Sequence, residues 1–567
     1  MSTTTRPPQH NLAAVSEAVG ARVPDRTAIV FRDRRLSYRD LSHRTRRLAR
    51  VFRRNGLGAA PTGRAGLAAH ESHQDHVAIY AHNGNQYLET MLGAFKARAV
   101  PLNVNYRYVA EELRYVLHDS GAKAIVYQSE FAPMLAEVLA GLPSLGTLLQ
   151  IEDDSEQALL PGAAWFEEAL AAESDGPLDW ADEWSPDDSY LLYTGGTTGM
   201  PKGVLWRQAD IHRTAMGGRN TATRQVWASL DEIADAVATD ASPHVTLPAA
   251  PFMHGAGHWV ALSALNQGAT VVIQSEVTRL DPVDICSVME REGVTYLQIV
   301  GDAFGRPIVD EMERGGYDLS TLRLVLSGGA ALSAPVKERF LARLPGIVLV
   351  EGLGSSEGGS QGVQMTVAQN GQNAAGGTVT TGTFSPSEGS IVVSEDFGTL
   401  LRPGDDEIGW LAKRGHDLPM GYLGDADKTA RTFPIIAGER MSVPGDRARW
   451  LPDGTIELLG RDSLTINSGG EKIFTEEVEA AVRAHPDVND VVVASRPSVQ
   501  WGQEVVAIVC VRDGASPSTS ELATEAARHI ARYKLPKHWV FVDAVQRSAA
   551  GKADYRWATA VASGTTT

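Results

Sequence analysis

The stretch Tyr193-Thr-Gly-Gly-Thr-Thr-Gly-Met-Pro-Lys-Gly203 carries residue types suited to holding a polyphosphate. Gly195, Gly196, Gly199 and Gly203 free the backbone to turn its amides toward anionic oxygens. Thr194, Thr197 and Thr198 add hydroxyl donors, and Lys202 adds a positive charge. The run Tyr190-Leu-Leu-Tyr193 reads as a strand that delivers the loop. Met200 and Pro201 separate Gly199 from Lys202, so the spacing departs from the G-x-x-x-x-G-K-[ST] Walker loop of nucleoside triphosphatases. A Gly/Thr-rich surface loop would use the same residue types, so the reading depends on what else the chain carries.

Further segments follow in order. They are Ser327-Gly-Gly-Ala-Ala-Leu332, Gly352-Leu-Gly-Ser-Ser-Glu-Gly358, Val443-Pro-Gly-Asp446, Leu459-Gly-Arg461, Ser468-Gly-Gly-Glu-Lys-Ile473 and Gln546-Arg-Ser-Ala-Ala-Gly-Lys552. Together with the loop they make the chain resemble the adenylate-forming superfamily of acyl-CoA synthetases, adenylation domains and luciferases. Within it the chain is most similar to bacterial fatty-acyl and steroid-side-chain acyl-CoA ligases. The resemblance runs from about residue 20 to about residue 557.

That resemblance implies activation of a carboxylic acid by ATP to an acyl-adenylate, then transfer to coenzyme A. ATP, Mg²⁺ and coenzyme A are the implied cofactors. Lys552, Glu357 and Thr198 are the implied catalytic residues. A carboxylate attacking an anionic α-phosphate meets charge repulsion, which a bridging Lys552 would offset. Thr194 to Gly199 with Lys202 would hold the phosphates, and Ser356 would touch them. Glu357 would hold Mg²⁺, since that ion takes few carboxylates alongside phosphate oxygens. The backbone at Gly329, Ala330 and Ala331 would line the adenine. Gly352, Leu353, Gly354 and Ser355 would form the other wall, with Leu353 where the family usually carries Tyr. Asp446 would accept from both ribose hydroxyls; a turn aspartate after Pro-Gly is its bland alternative. Arg461 would sit at a domain junction, and Ser463 would occupy the hinge position where Asp or Lys is usual. Gly470 and Lys472 belong to the loop that approaches the pantetheine arm, with Lys472 either meeting a coenzyme A phosphate or staying solvated. The segments Lys413 to Tyr422 and Lys428 to Phe433 also match the family and read as mainly structural. An acyl-AMP ligase serving a carrier protein, and a non-catalytic nucleotide-binding relative, are the alternative readings.

Pro251-Phe-Met-His-Gly-Ala-Gly-His-Trp259 stands where similar enzymes gate the acyl site. No carboxylate lies in it to meet an ammonium, which favours an apolar acid over an amino acid. His254, Trp259 and Gly301 are the candidate substrate residues; a hydrogen-bonded structural role is the alternative for His254, and a tryptophan such as Trp259 more often packs a core than gates a site. Small residues at Gly301, Ala303 and Gly305 suggest a deep pocket floor. His70-Glu-Ser-His73-Gln-Asp-His76 lacks the i,i+4 histidines of a zinc helix and reads as a solvated loop.

Short β-rich runs alternate with amphipathic ones from about residue 28, the pattern of α/β layering. Strands are expected at Ala28–Phe31, Val77–Tyr80 and Ala124–Tyr127, with a helix from Tyr38 to Phe52. Ser155 to Pro186 reads as a surface connection. Short strands near 389–393 and 409–412 suggest a small β subdomain. The expected organisation is an N-terminal adenylation domain over residues 1–462 and a small mobile α+β domain over 463–567. In the latter, Thr475 would cap a helix to Ala484. Ser518 and Glu521 form a capping-box pattern for a helix burying Leu522, Ala526, Ile530 and Tyr533.

The formal charge of −17 argues against nucleic acid and anionic membranes as general partners, leaving small-molecule substrates. Only Cys286 and Cys510 are present, too few to staple the chain, and each sits in an apolar stretch. The N-terminus lacks the apolar core of a signal peptide, and no run of about 18 apolar residues exists. A cytoplasmic enzyme is expected; a homo-oligomer is possible, but nothing in the sequence sets the oligomeric state.

Overall fold

A computed structural model describes residues 7–61, 63–194, 200–220, 223–330, 332, 334–369, 372–373, 383–461, 465–546 and 555–564. Its first sheet is wholly parallel. Strands Val100–Asn103, His76–Tyr80, Ala122–Gln128, Thr147–Ile151 and Ala163–Trp165 lie side by side in that order. His76–Tyr80 is buried at every position, as a strand covered on both faces must be. Helices Tyr38–Arg54 and Asn85–Lys96 share a core with this sheet.

A second parallel array runs Thr27–Phe31, Thr270–Ile273, Val245–Pro248, Tyr296–Ile299, Leu324–Gly328, Val348–Ser355. Local sequence fixes its crossovers. Asp281 accepts from the amides of Val283 and Asp284, Pro282 opens the helix Pro282–Glu292, and Gly293 ends it at φ 63°. Gly359–Gln369 turns back antiparallel and continues into a β subdomain. That subdomain holds Thr383–Pro386, Ile456–Arg461, Asp446–Trp450, Gly409–Arg414 and Glu439–Ser442. A third sheet pairs Ser189–Thr194 with Lys202–Arg207 and Gly421–Tyr422.

Beyond residue 464 the chain packs strands Thr465–Ser468, Glu471–Phe474, Val488–Ser498, Gly502–Val511 and His538–Phe541 with helices Thr475–Arg483 and Thr519–Ala526. Its core is separate, built on Ile466, Ile473, Val478, Val482, Val491, Val505 and Leu522. Among the described residues no helix is long and apolar enough to cross a membrane.

The structure departs from the sequence reading in four places. Ser155 to Pro186 is not mere surface: Phe166–Ala171 forms a short helix with Phe166 and Leu170 buried. The indoles of Trp180 and Trp184 donate to the Lys96 carbonyl at 2.8 and 3.0 Å, drawing the segment onto the body. Thr475 begins its helix instead of capping it, and its hydroxyl has no hydrogen-bond partner among the described residues. The capping box at Ser518 and Glu521 forms, but that helix ends at Ala526 and Tyr533 lies in a separate 3₁₀ turn. His73 and His76 are buried, because the chain here enters a central strand. His73 faces Asp188 at 3.7 Å, and no group of metal-ligating side chains exists among the described residues.

Candidate functional site

Parallel strands end together, and the open edge at their carboxyl ends is where an α/β fold can place a ligand. Four segments meet at that edge: Pro251–His254, Val300–Gly301, Gly329 and Gly352–Ser356. Gly329, at φ 89°, lies beside Val300: an added Cβ would stand 3.9 Å from its Cγ1, ordinary contact distance, so the backbone conformation is what favours glycine there. Gly301 opens its helix at φ 52°, and its amide donates to Ser327 Oγ at 3.0 Å. Ala330 is half-buried beside Gly329, and Ala331 lies outside the described residues.

Two asparagines that sequence reasoning missed hold this edge. Asn83 Nδ2 donates to Ala250 O at 3.0 Å, and its Oδ1 accepts from Phe252 N at 2.6 Å. Asn103 accepts from Tyr193 N at 2.8 Å and donates to Tyr193 O at 2.9 Å and Met253 O at 2.6 Å. Both are buried, so each contact is made without water competing. Asn103 ends the strand Val100–Asn103 and Asn83 follows the strand His76–Tyr80, both at the carboxyl edge of the first sheet. That placement was the available signal.

The strands that flank the phosphate-loop candidate, Ser189–Thr194 and Lys202–Arg207, pair antiparallel. Thr194 ends one strand and is paired with Lys202, which begins the next. Gly195, Gly196, Thr197, Thr198 and Gly199 lie outside the described residues. Lys202 Nζ lies 2.6 Å from Asp425 Oδ2. Gly421 and Tyr422 pair with Leu205 and Val204, adding a third strand behind the loop.

Glu357 faces the same corner. Tyr422 Oη donates to Glu357 Oε1 at 2.8 Å, and Ser442 Oγ donates to the Glu357 carbonyl at 2.6 Å. Trp206 Nε1 donates to the Ser356 carbonyl at 3.0 Å. Three side chains from three elements thus fix the Ser356–Glu357 turn. Lys428 Nζ lies 4.9 Å from the centre of the Tyr422 ring, and its pKa is lowered by burial and by the nearby Lys202 ammonium. The segment around Tyr422 and Lys428 is therefore more than scaffold. The hydrogen bond from Tyr422 to Glu357 and the ion pair from Asp425 to Lys202 join it to the candidate site.

The opposite wall is held by a buried ion pair. Lys337 Nζ and Glu351 Oε2 are 2.6 Å apart, and Glu351 Oε1 accepts from the Leu332 amide at 3.1 Å. Leu332 closes the small-residue turn after Gly328, so this pair pins the proposed adenine-lining backbone. Leu353 packs with Val392, Leu401, Leu411, Ala448 and Ile456 of the β subdomain. Asp446 opens its strand opposite Arg461, which ends the neighbouring one. Ser463 and Lys552 lie outside the described residues.

Trp259 belongs to a buried polar chain. Its Nε1 donates to Tyr190 Oη at 2.7 Å, and the Tyr190 hydroxyl meets His258 Nε2 at 2.5 Å. His258 Nδ1 reaches the Phe252 carbonyl at 2.6 Å. Burial pushes His258 down to about 4, helped by the adjacent His254. The neutral ring thus donates from Nδ1 and accepts at Nε2, and the side-chain polar atoms of Trp259, Tyr190 and His258 are all hydrogen-bonded. The deep floor expected from small residues is not found at Gly305. A Cβ there would stand 2.8 Å from Leu332 Cδ1, so the missing side chain serves helix packing.

The remaining wall comes from far along the chain. Gly469 and Gly470 turn the hairpin between Thr465–Ser468 and Glu471–Phe474, in which Lys472 pairs with Asn467. Gly470, at φ 85°, presses on Val300: a Cβ would lie 2.9 Å from its Cγ1. Glu471 Oε1 sits 3.3 Å from His254 Nε2 and 3.1 Å from Arg107 Nη1. Burial disfavours its charge, but His254, Arg107 and Lys534 outweigh burial and hold the carboxyl at about 2. A carboxylate therefore does reach His254, contrary to the reading of the local segment alone. It is supplied from residue 471 and is already engaged by Arg107 and His254.

Known proteins resemble this chain over nearly its whole length. The family described as AMP-binding enzyme matches residues 16–423, and the AMP-binding enzyme C-terminal domain matches residues 477–552. The chain is 50% identical over 546 residues to a Mycobacterium avium protein named medium-chain acyl-CoA ligase Mig, covering 96% of this chain and 97% of that one. It is 40% identical over 550 residues to a Mycobacterium tuberculosis protein named medium/long-chain-fatty-acid–CoA/3-oxocholest-4-en-26-oate–CoA ligase, covering 97% and 95%. Among solved structures, the amide bond synthetase McbA from Marinactinospora thermotolerans shares the fold with a TM-score of 0.74 at 20% identity, over 97% of this chain and 100% of that one. The o-succinylbenzoate CoA synthetase MenE from Bacillus subtilis does so at 0.73 and 19%, over 97% and 98%. The chain therefore belongs to the AMP-binding enzymes, as an adenylate-forming acyl-CoA synthetase.

Proposed function

We propose that this synthetase activates a fatty or other bulky apolar carboxylic acid and works through two placements of its C-terminal unit. Residues 1–462 form the adenylating body, and residues 463–567 form the moving domain. The observation that carries the reading is the hairpin at Gly470, which rests on Val300 while Glu471 meets His254. In this placement the thioester-forming loop stands at the carboxyl edge of the strands. The names of the relatives support the acid class, since they specify medium- and long-chain fatty acids and a steroid-side-chain acid.

In the first half-reaction the substrate carboxylate attacks the α-phosphorus of ATP, forming the mixed anhydride and releasing pyrophosphate. Thr194, the glycine-threonine turn and Lys202 hold the phosphates, with Asp425 keeping Lys202 in place beforehand. Glu357 is the residue suited to hold Mg²⁺. Tyr422 engages one oxygen of its carboxylate, and the ion would supply positive charge to the phosphates. Asp446 anchors the ribose, and the backbone at Gly329 and Gly352 lines the base. Lys552 neutralises the charge that builds between carboxylate and phosphate.

In the second half-reaction the thiol of coenzyme A attacks the acyl carbonyl and AMP leaves. The adenylate is already activated, so no protein nucleophile is required. His254 borders the acyl site, and Glu471 orients its ring. The cytoplasm is the proposed location. Lys552→Ala tests the roles: adenylation should collapse, while thioester formation from supplied acyl-AMP should persist. Equal loss of both half-reactions would overturn the assignment.

A further inference from the structure

The C-terminal unit meets the body through buried charges that no chemical step above uses. Lys534 Nζ lies 2.7 Å from Glu112 Oε1 and also pairs with Glu477. The side chains of Glu112, Lys534 and Glu477 are 0%, 5% and 5% exposed. Glu112 stands on the body's helix Ala110–Asp119, whereas Lys534 and Glu477 belong to the C-terminal unit. The Lys534–Glu477 pair therefore lies within one unit, and the Lys534–Glu112 pair crosses between the two.

The surrounding contacts converge on the same short stretch of the body. Arg107 pairs with Glu471 at 3.1 Å, and its guanidinium lies 5.4 Å from the centre of the Tyr533 ring. Asn105 Nδ2 donates to Tyr533 Oη at 3.3 Å, and His529 Nδ1 approaches Glu111 Oε2 at 3.0 Å. An apolar interface tolerates sliding. A buried ion cluster does not, because displacing one partner strands a desolvated charge. Such a cluster adds little net stability but discriminates strongly between orientations.

We propose that Glu112 and Lys534 form a latch that holds the C-terminal unit in the thioester-forming orientation and opens for adenylation. The proposal rests on the two-placement reading above. Both are positioning residues: they set the hairpin carrying Gly470 and Glu471 onto Val300 and His254. Opening the latch leaves Lys534 paired with Glu477 inside the moving unit. Glu112 keeps a second task, accepting from the Val109 amide at 3.2 Å in its own helix cap. That contact remains in both orientations.

The test uses the full chain with Glu112→Lys, Lys534→Glu and the double charge swap. Two half-reactions are read separately: acid-dependent ATP–pyrophosphate exchange, and transfer of supplied acyl-AMP to coenzyme A. Each single variant should lose about 100-fold or more in the transfer step, as expected for breaking a buried pair, while exchange stays within about threefold. The double swap should recover at least about tenfold of the transfer rate. A distance readout makes the test independent of activity. Fluorophores at Val283→Cys and Val499→Cys, both exposed, report the placement of the two units. The single variants should shift that distance, and the swap should restore it. Equal losses in both half-reactions, an unchanged transfer step, or no recovery in the swap would each overturn the latch. Failure of the unsubstituted enzyme to use coenzyme A would instead count against the two-placement reading.

Discussion

Removing the Tyr422 hydroxyl probes the corner between Glu357 and the phosphate loop. Tyr422 is buried, and its hydroxyl donates to Glu357 Oε1 at 2.8 Å. Its ring packs 6.0 Å from Phe433 and 4.9 Å below the Lys428 ammonium. Tyr422→Phe keeps both ring contacts and deletes one charge-assisted hydrogen bond. Such bonds contribute about 1.5–3 kcal/mol. Glu357 is half-buried, so water replaces part of the loss, and the lower end of that range applies. About 1.5 kcal/mol corresponds to roughly tenfold weaker binding of MgATP. The expected signature is a right-shifted Mg²⁺ dependence of ATP–pyrophosphate exchange, with little change in the affinity for the acid. Calorimetric titration of MgATP should show the same shift without turnover. A folded variant with wild-type Mg²⁺ dependence would refute the idea that Tyr422 orients a metal-binding Glu357.

Three further outcomes follow from the geometry. Gly470→Val adds a side chain against Val300 at a positive φ, so transfer to coenzyme A should fall by at least about tenfold while adenylation continues; parallel half-reaction assays read this. Lys337→Met leaves Glu351 buried without its cation, which should destabilise the fold by about 3–5 kcal/mol, measured by urea unfolding. The third outcome concerns pH. Burial and the Glu112 carboxylate push Glu477 up to about 8, against the pull of Lys534, with Tyr108, Tyr533 and Glu471 facing the same cluster. Undocking exposes Glu477 and returns it toward its ordinary range near 4.5. The docked orientation therefore keeps its full stability at low pH and loses it as pH rises through about 8. Thioester transfer should decline there before adenylation does, and Glu112→Gln should flatten the decline.

Much of the architecture was legible because it is local. Apolar strand runs, amphipathic helices and the Ser518–Glu521 capping box each lie within a few residues, and all formed. Candidate site segments such as Tyr193–Gly203 and Gly352–Gly358 could be picked out because each concentrates its residue types within a short run. What escaped was made by distance along the chain. Tyr422 reaches Glu357 across 65 positions, and Lys534 reaches Glu112 across 422. No periodicity links such partners. The carboxylate at His254 escaped for the same reason, since Glu471 arrives from 217 residues away. Gly305 misled in another way: smallness at one position served helix packing, which sequence alone does not separate from a cavity.

The central claim is that one active site makes an adenylate and hands it to coenzyme A. Its most direct test is the product balance when the enzyme is given ATP, Mg²⁺, coenzyme A and a medium-chain fatty acid. Equimolar AMP, pyrophosphate and acyl-CoA, with no AMP released when the acid is omitted, is the predicted result. Formation of ADP in place of AMP, or AMP release without acyl-CoA, would contradict it.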